Sequence, residues 1–214
     1  MSNFNVLTAI AAPLAIDNVD TDQIFPSRFT SKRRADGQFG TYLLYDQRFD
    51  ETGNVKSDFV LNDARFHEAR ILVAASNYAC GSARPGAIFS HIDFGIRAII
   101  AESFGPVFAE VAYKSGLLTI QLAKQDTAYL RDVLSEKPGS QLTIDLTEQV
   151  VVAPDGRRFA FQIDPFTKRI FVQGGSEIDL TLSMKDQIVA FEARRRKVVP
   201  WAYDLAGRDL QSKS

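Results

Sequence analysis

Two short segments concentrate the side chains that could do chemistry. In Asn77-Tyr78-Ala79-Cys80-Gly81-Ser82-Ala83-Arg84-Pro85-Gly86, a hydroxyl and a guanidinium stand close together among glycines. Glycine lets backbone amides come near a ligand, Ser82 offers a hydroxyl beside a helix start, and Arg84 can grip a carboxylate through two parallel hydrogen bonds. An anionic ligand suits that set. In Asn18-Val19-Asp20-Thr21-Asp22-Gln23, two carboxylates flank a hydroxyl and can hold a water or orient a base. Each segment also has a plain structural reading, the first as a strand-to-helix connector and the second as a helix cap or Asx turn. Neither is a phosphate loop or a Gly-x-Gly-x-x-Gly turn. Cys80 stands where a Gly-x-Ser-x-Gly elbow needs its first glycine.

The elements around these segments follow from apolar patterning. Short aliphatic runs predict strands at Phe4 to Ala11, Ile71 to Ala75, Arg97 to Ala101 and Leu117 to Leu122. A short helix is expected to begin near Ala87. A second is expected to run from an N-cap at Ser103 through about Lys114, with Gly116 at its boundary. Strand, loop, helix, strand, helix, strand predicts parallel pairing, and the Ser82 loop then falls at the carboxyl end of a strand, where open parallel sheets gather ligands. Beyond a helix at about Thr127 to Glu136, Lys137-Pro138-Gly139-Ser140 opens strands Gln141 to Leu146, Val150 to Ala153 and Arg158 to Ile163, with a turn at Asp155-Gly156. A last helix, Met184 to Lys197, is expected to turn Ile188, Val189 and Phe191 inward and to leave Arg194 to Lys197 solvated at its end. Residues 30–63 are polar and irregular, as in a binding loop or lid.

Composition narrows the class. A chain of 214 residues that is 45% hydrophobic can bury a full core, and a formal charge of −1 supplies no basic field for nucleic acid. No basic leader precedes the mildly apolar run Val6 to Ile16, and no stretch approaches the roughly 20 apolar residues of a membrane span, so a cytoplasmic location is expected. With Cys80 as the single cysteine and only His67 and His91 beside it, the chain has neither an internal disulfide nor a zinc set, and one thiolate does not hold an iron-sulfur cluster. Metal chemistry would have to come from another polypeptide.

Taken in order along the chain, Asn18 to Asp22, Asp58-Phe59-Val60-Leu61-Asn62, Ile71 to Arg84, Asp93-Phe94-Gly95, Ala101-Glu102-Ser103-Phe104, Leu117-Leu118, Ile163-Asp164-Pro165-Phe166 and Ile178 to Leu182 resemble the aconitase superfamily, in its 3-isopropylmalate dehydratase small-subunit branch. The resemblance implies an α/β fold, a single swivelling β/β/α domain over 1–214. Its core would span 1–125 with the loop 30–63, and its C-terminal strands and helix 138–199. It implies a hydro-lyase active only with a large subunit that carries a four-iron, four-sulfur cluster. That pair would dehydrate 2-isopropylmalate to isopropylmaleate and rehydrate it as 3-isopropylmalate in leucine biosynthesis. Ser82 then matches the serine base toward the carbon-bound proton and Arg84 the clamp on a substrate carboxylate. Gly81, Asp20, Thr21 and Asp22 line the same site, and Arg34 is the further arginine, with Arg28 and Arg33 as rivals.

The pattern departs from the family at two places. Gly81-Ser82-Ala83-Arg84-Pro85-Gly86-Ala87 replaces Gly-Ser-Ser-Arg-Glu-His-Ala, losing a hydroxyl, a carboxylate and an imidazole, and Val111 stands where relatives often have Asn. These losses leave open a paralogous hydro-lyase for a methylmalate/citraconate or dimethylmaleate-type acid. A non-catalytic carboxylate-binding module, with Ser82 only donating a hydrogen bond, is the alternative of a different class.

Overall fold

Aliphatic alternation builds one seven-stranded sheet of order β4-β3-β2-β1-β5-β6-β7. The structure is a computed structural model that describes residues 4–82, 84–174 and 177–204. Its strands are β1 (Val6–Pro13), β2 (Ile71–Val73), β3 (Ala98–Ala101), β4 (Leu118–Gln121), β5 (Gln141–Asp145), β6 (Val150–Val152) and β7 (Arg158–Ala160). Strand β1 pairs in parallel with β2 and antiparallel with β5, so it joins a parallel half, β1 to β4, to an antiparallel half, β5 to β7.

Successive side chains of a strand face opposite ways, and both faces of the parallel half of this sheet are covered. Ile71, Val73, Ala98, Ile100, Leu118 and Ile120 face one apolar layer, while Leu72, Ile99 and Ala12 face the other. Into the first layer pack Leu130 and Leu134 of α5 (Lys124–Glu136) and Phe171 of α6 (Pro165–Gln173). The second receives Ala87 and Ile88 of α3 (Pro85–Phe94) and Phe108 and Ala112 of α4 (Pro106–Lys114). Residues 30–63 form no long element. They hold 3-10 turns and the one-turn helix α2 (Tyr45–Arg48), and the one-turn helix α1 (Thr21–Ile24) precedes them.

The strand and helix order expected from Ile71 to Leu122 is present, with shorter strands. Ser103 does not cap the following helix: α4 starts at Pro106 after Gly105, and the Ser103 hydroxyl instead accepts the Asn77 N–H at 2.8 Å. Gly105 takes the cap place because a side chain there would meet the backbone of Ala79. The turn at Asp155-Gly156 is present, closed by Ala153 N–H to the Arg157 carbonyl at 2.8 Å, with Gly156 at φ 88.

By its contacts the chain divides into two units, Met1–Gly174 and Gly175–Ser214. The second contains α7 (Glu177–Ser183), α8 (Lys185–Val198) and α9 (Trp201–Asp204). In α8 the expected inward face fails. Ile188, Val189 and Phe191 are exposed, and no residue of α8 is buried, because the apolar positions are spread around a helix dominated by charge. The basic end is as expected, with Arg195, Arg196 and Lys197 in the last turn. Among the described residues no helix is long and apolar enough to cross a membrane.

Candidate functional site

The Asp-Thr-Asp segment performs a cap and a clamp at once. Asp20 is the N-cap of α1, its Oδ1 accepting the N–H groups of Asp22 at 2.7 Å and Gln23 at 2.8 Å, while Gln23 Oε1 accepts the Asp20 N–H at 3.0 Å. This reciprocal box satisfies donors that a helix start leaves open. It also commits the Asp20 carboxylate to backbone, so the two carboxylates do not act as a pair. Thr21 donates its hydroxyl to the Ser82 carbonyl at 2.6 Å, and its N–H goes to the Cys80 carbonyl at 3.0 Å. Cys80 N–H in turn reaches the Val19 carbonyl at 3.2 Å. Asp22 meets Arg84 with an Oδ1 to Nη1 separation of 2.7 Å.

Gly81, Ser82, Arg84, Asp20, Thr21 and Asp22 are thus brought together at the carboxyl end of β2. Gly81 and Ser82 are exposed and Arg84 is half-buried. Among the described residues the Ser82 hydroxyl has no hydrogen-bond partner. Arg84 is the N-cap of α3, without a side-chain cap, and Pro85 fills the first turn. Ser82 therefore lies two residues before the N-cap of a ten-residue helix, next to its positive end. Ala83 lies outside the described residues.

The loop backbone is unusual. Asn77, Ala79 and Gly81 all have positive φ, 55, 55 and 90. Only glycine adopts this freely; for Ala79 it costs about 1 kcal/mol or more and persists because neighbours over-determine it. The neighbours are visible: Tyr78 N–H donates to the Ser103 carbonyl at 3.0 Å, and Gly105 N–H donates to the Tyr78 carbonyl at 2.9 Å. A Cβ on Gly105 would lie 2.2 Å from the Ala79 carbonyl oxygen.

Arg34 is placed differently. Its Nε and Nη2 bind Asp93 at 2.8 and 2.6 Å, and its guanidinium lies 4.1 Å from the Phe89 ring centroid. Asp93 is in the last turn of α3, about 12 Å along the axis from Pro85. The rivals are also paired, Arg33 with Asp36 at 3.2 Å and Arg28 with Asp46 while stacked over Phe29. Val111 packs against the core as a half-buried apolar residue. Gly86 has a steric reason, since a Cβ there would come within 2.6 Å of the buried Phe25 ring.

Sequence reasoning passed over Tyr78 and His91. Both are fully buried, and the Tyr78 hydroxyl lies 2.8 Å from His91 Nε2. His91 Nδ1 is 2.6 Å from the Ala87 carbonyl, which only accepts, so Nδ1 carries the proton and Nε2 accepts from Tyr78. Burial lowers the His91 pKa to about 4, against an opposing effect of the Ala87 bond, and raises that of Tyr78. The pair is 13 residues apart in sequence with no local motif; only its position on an apolar helix face hinted at a satisfied core histidine. A cleft lined by Ser76, Glu102, Ser103, Gln121 and Lys124 opens on the ends of β3 and β4, and no residue of the predicted site lines it.

The aconitase C-terminal domain family matches residues 1–125 and the LeuD_N family residues 128–165, while the family of C-terminal domains from 3-isopropylmalate dehydratase small subunits matches residues 177–204. The 3-isopropylmalate dehydratase small subunit of Gluconacetobacter diazotrophicus is 41% identical over 201 residues, 94% of this chain and 97% of the relative. That of Paramagnetospirillum magneticum is 40% identical, covering 94% of this chain and all of the relative. A solved 3-isopropylmalate dehydratase structure (leuD) from Methanocaldococcus jannaschii superposes with a TM-score of 0.61 at 21% identity, over 87% of this chain and 99% of that one. That likeness carries the fold, and it agrees with the α/β architecture expected from the sequence.

Proposed function

This chain belongs to the 3-isopropylmalate dehydratase small-subunit family of the aconitase superfamily, and from that premise we propose that it is the proton-handling half of a two-protein hydro-lyase interconverting 2-isopropylmalate and 3-isopropylmalate in leucine biosynthesis. The observation that carries the reading is the junction of the Thr21 hydroxyl with the Ser82 carbonyl at 2.6 Å, which holds an exposed serine beside Arg84 at a helix start. Ser82 takes the proton from the carbon next to the hydroxyl-bearing one. On rehydration a proton returns to the carbon that first bore the hydroxyl. A serine hydroxyl is a weak base, and its alkoxide draws stabilisation from the positive dipole end of α3 and from Arg84. Arg84 grips a substrate carboxylate in place of Asp22. Gly81 allows the close approach, and Arg34 contributes a second positive charge after exchanging Asp93 for substrate.

Handling of the hydroxyl belongs to the large subunit. This chain's own donors do not fit an iron-sulfur cluster: Cys80 is the single cysteine, both ring nitrogens of His91 are engaged, and no group of three or more His, Cys, Asp and Glu among the described residues is arranged for a metal ion. We therefore assign the four-iron cluster to the large partner. Ser82→Ala in the assembled enzyme is expected to lower kcat for 2-isopropylmalate by about 10²–10⁴ with little change in KM. Unchanged kcat would remove Ser82 from the reaction.

A second reading, a hydro-lyase for methylmalate/citraconate or dimethylmaleate-type acids, draws on one observation. The buried Phe25 ring leaves room for no side chain at Gly86, where the family has an imidazole. Turnover of those acids faster than isopropylmalate, followed by absorbance of the unsaturated acid, would select it.

A further inference from the structure

We propose that the Tyr78–His91 hydrogen bond positions Ser82 for proton transfer, by fixing the start of its loop against the first turn of α3. This deepens the proposed function and rests on it. Tyr78 and Ser82 are at opposite ends of one strained loop. Tyr78 lies between two residues of positive φ, Asn77 and Ala79, and is held at three points: its N–H by the Ser103 carbonyl, its carbonyl by the Gly105 N–H, and its hydroxyl by His91. His91, in the last turn of α3, is anchored to the carbonyl of Ala87 in that helix's first turn.

The chain of bonds therefore runs from the loop's entrance, through the core, to the helix start at its exit. Ser82 stands between those ends, with Thr21 gripping its carbonyl from the side. Phe108 of α4 completes the anchor, edge-on to the His91 ring at 6.0 Å and to the Tyr78 ring at 6.4 Å. Loop, α3 and α4 meet in one aromatic triangle. Because Nδ1 is tied to a carbonyl and the buried ring is neutral, Nε2 can only accept, and the Tyr78 hydroxyl is its single partner among the described residues.

Carboxylate gripping has its own tie in this geometry, since the Arg84 guanidinium is held by Asp22 at 2.7 Å and not by the Tyr78–His91 bond. Loss of the buried bond should therefore act on kcat and spare KM. Small displacements of a reacting group are costly to rate.

The test uses the full chain assembled with its large partner. Tyr78→Phe removes one oxygen and strands the His91 lone pair; Tyr78→Phe with His91→Leu removes both polar groups, which restores an apolar contact. Tyr78→Phe is expected to lower kcat for 2-isopropylmalate at least tenfold with KM within twofold. The double variant is expected to regain the wild-type unfolding midpoint while kcat stays low. Recovery of kcat together with the midpoint would overturn the proposal, because the pair would then contribute stability alone. Amide hydrogen exchange across residues 79–84 gives a readout that needs no substrate. It should rise about tenfold in both variants, and unchanged exchange overturns the clamp. If wild type with its partner fails to turn over 2-isopropylmalate, the functional reading fails, and exchange still decides whether the clamp exists.

Discussion

Arg84 carries the sharpest expectation for a single side chain. Its guanidinium fork suits a carboxylate, and an ammonium in its place keeps charge but loses the parallel pair of donors. Arg84→Lys is expected to raise KM about 30-fold, near 2 kcal/mol, with a smaller loss in kcat, measured by steady-state turnover in the assembled enzyme. His91 gives a pH expectation. Its folded pKa is about 4 and its unfolded value about 6.5, so above pH 6.5 the ring is neutral in both states and its contribution is fully present. As pH falls through 6.5 toward 4 the unfolded chain binds a proton that the folded chain refuses, and stability drops. The loss is about 2 kcal/mol by pH 5, and urea midpoints of wild type against His91→Leu should converge there. Ser82 and Arg84 stood out as candidates because glycine, hydroxyl and guanidinium lie within one short loop. The partnership of Tyr78 with His91 was not, since it crosses the core between a loop and a helix face.

At the scale of elements, close backbone approach explains what patterning missed. Gly105 abuts the Ala79 carbonyl, so Gly105→Ala must push the loop or α4 apart. A cost of about 1–3 kcal/mol in the urea midpoint is expected, with a fall in kcat because Ala79 and Cys80 lead directly to Ser82. Ser103 looked like a cap by residue type, yet the helix waits for Gly105 and Pro106 because the loop needs the Ser103 hydroxyl. The four parallel strands were readable from aliphatic runs, and α5 from its period, beginning three residues earlier than expected at Lys124. The helix α6 escaped notice because Ile163-Asp164-Pro165-Phe166 reads as a strand end running into a turn. In fact Asp164 caps it by accepting the Thr167 N–H at 2.9 Å. For α8, helical period alone did not say which face would be covered, and charged residues outnumber apolar ones there.

For the molecule as a whole, the exposed serine and half-buried arginine form an open surface rather than a closed pocket, which suits a site completed by a second protein. The purified chain alone is expected to show no hydro-lyase turnover and no cluster absorbance, and both should appear on mixing with the reconstituted large partner. Turnover by the chain alone would contradict this division of labour. Composition and single-cysteine content pointed toward that division, but only the ordered matches along the chain gave it chemical content.

The place of β1 at the seam of the sheet has a consequence for synthesis. Its parallel neighbour β2 is made well before β5, since residues 6 to 10 pair with 141 to 145, about 135 residues later. At common elongation rates that is roughly 7 to 27 seconds during which one flank of the first strand offers bare N–H and C=O groups. A ribosome-bound chaperone, or simple slowness in making the first half compact, would have to guard that edge until β5 emerges.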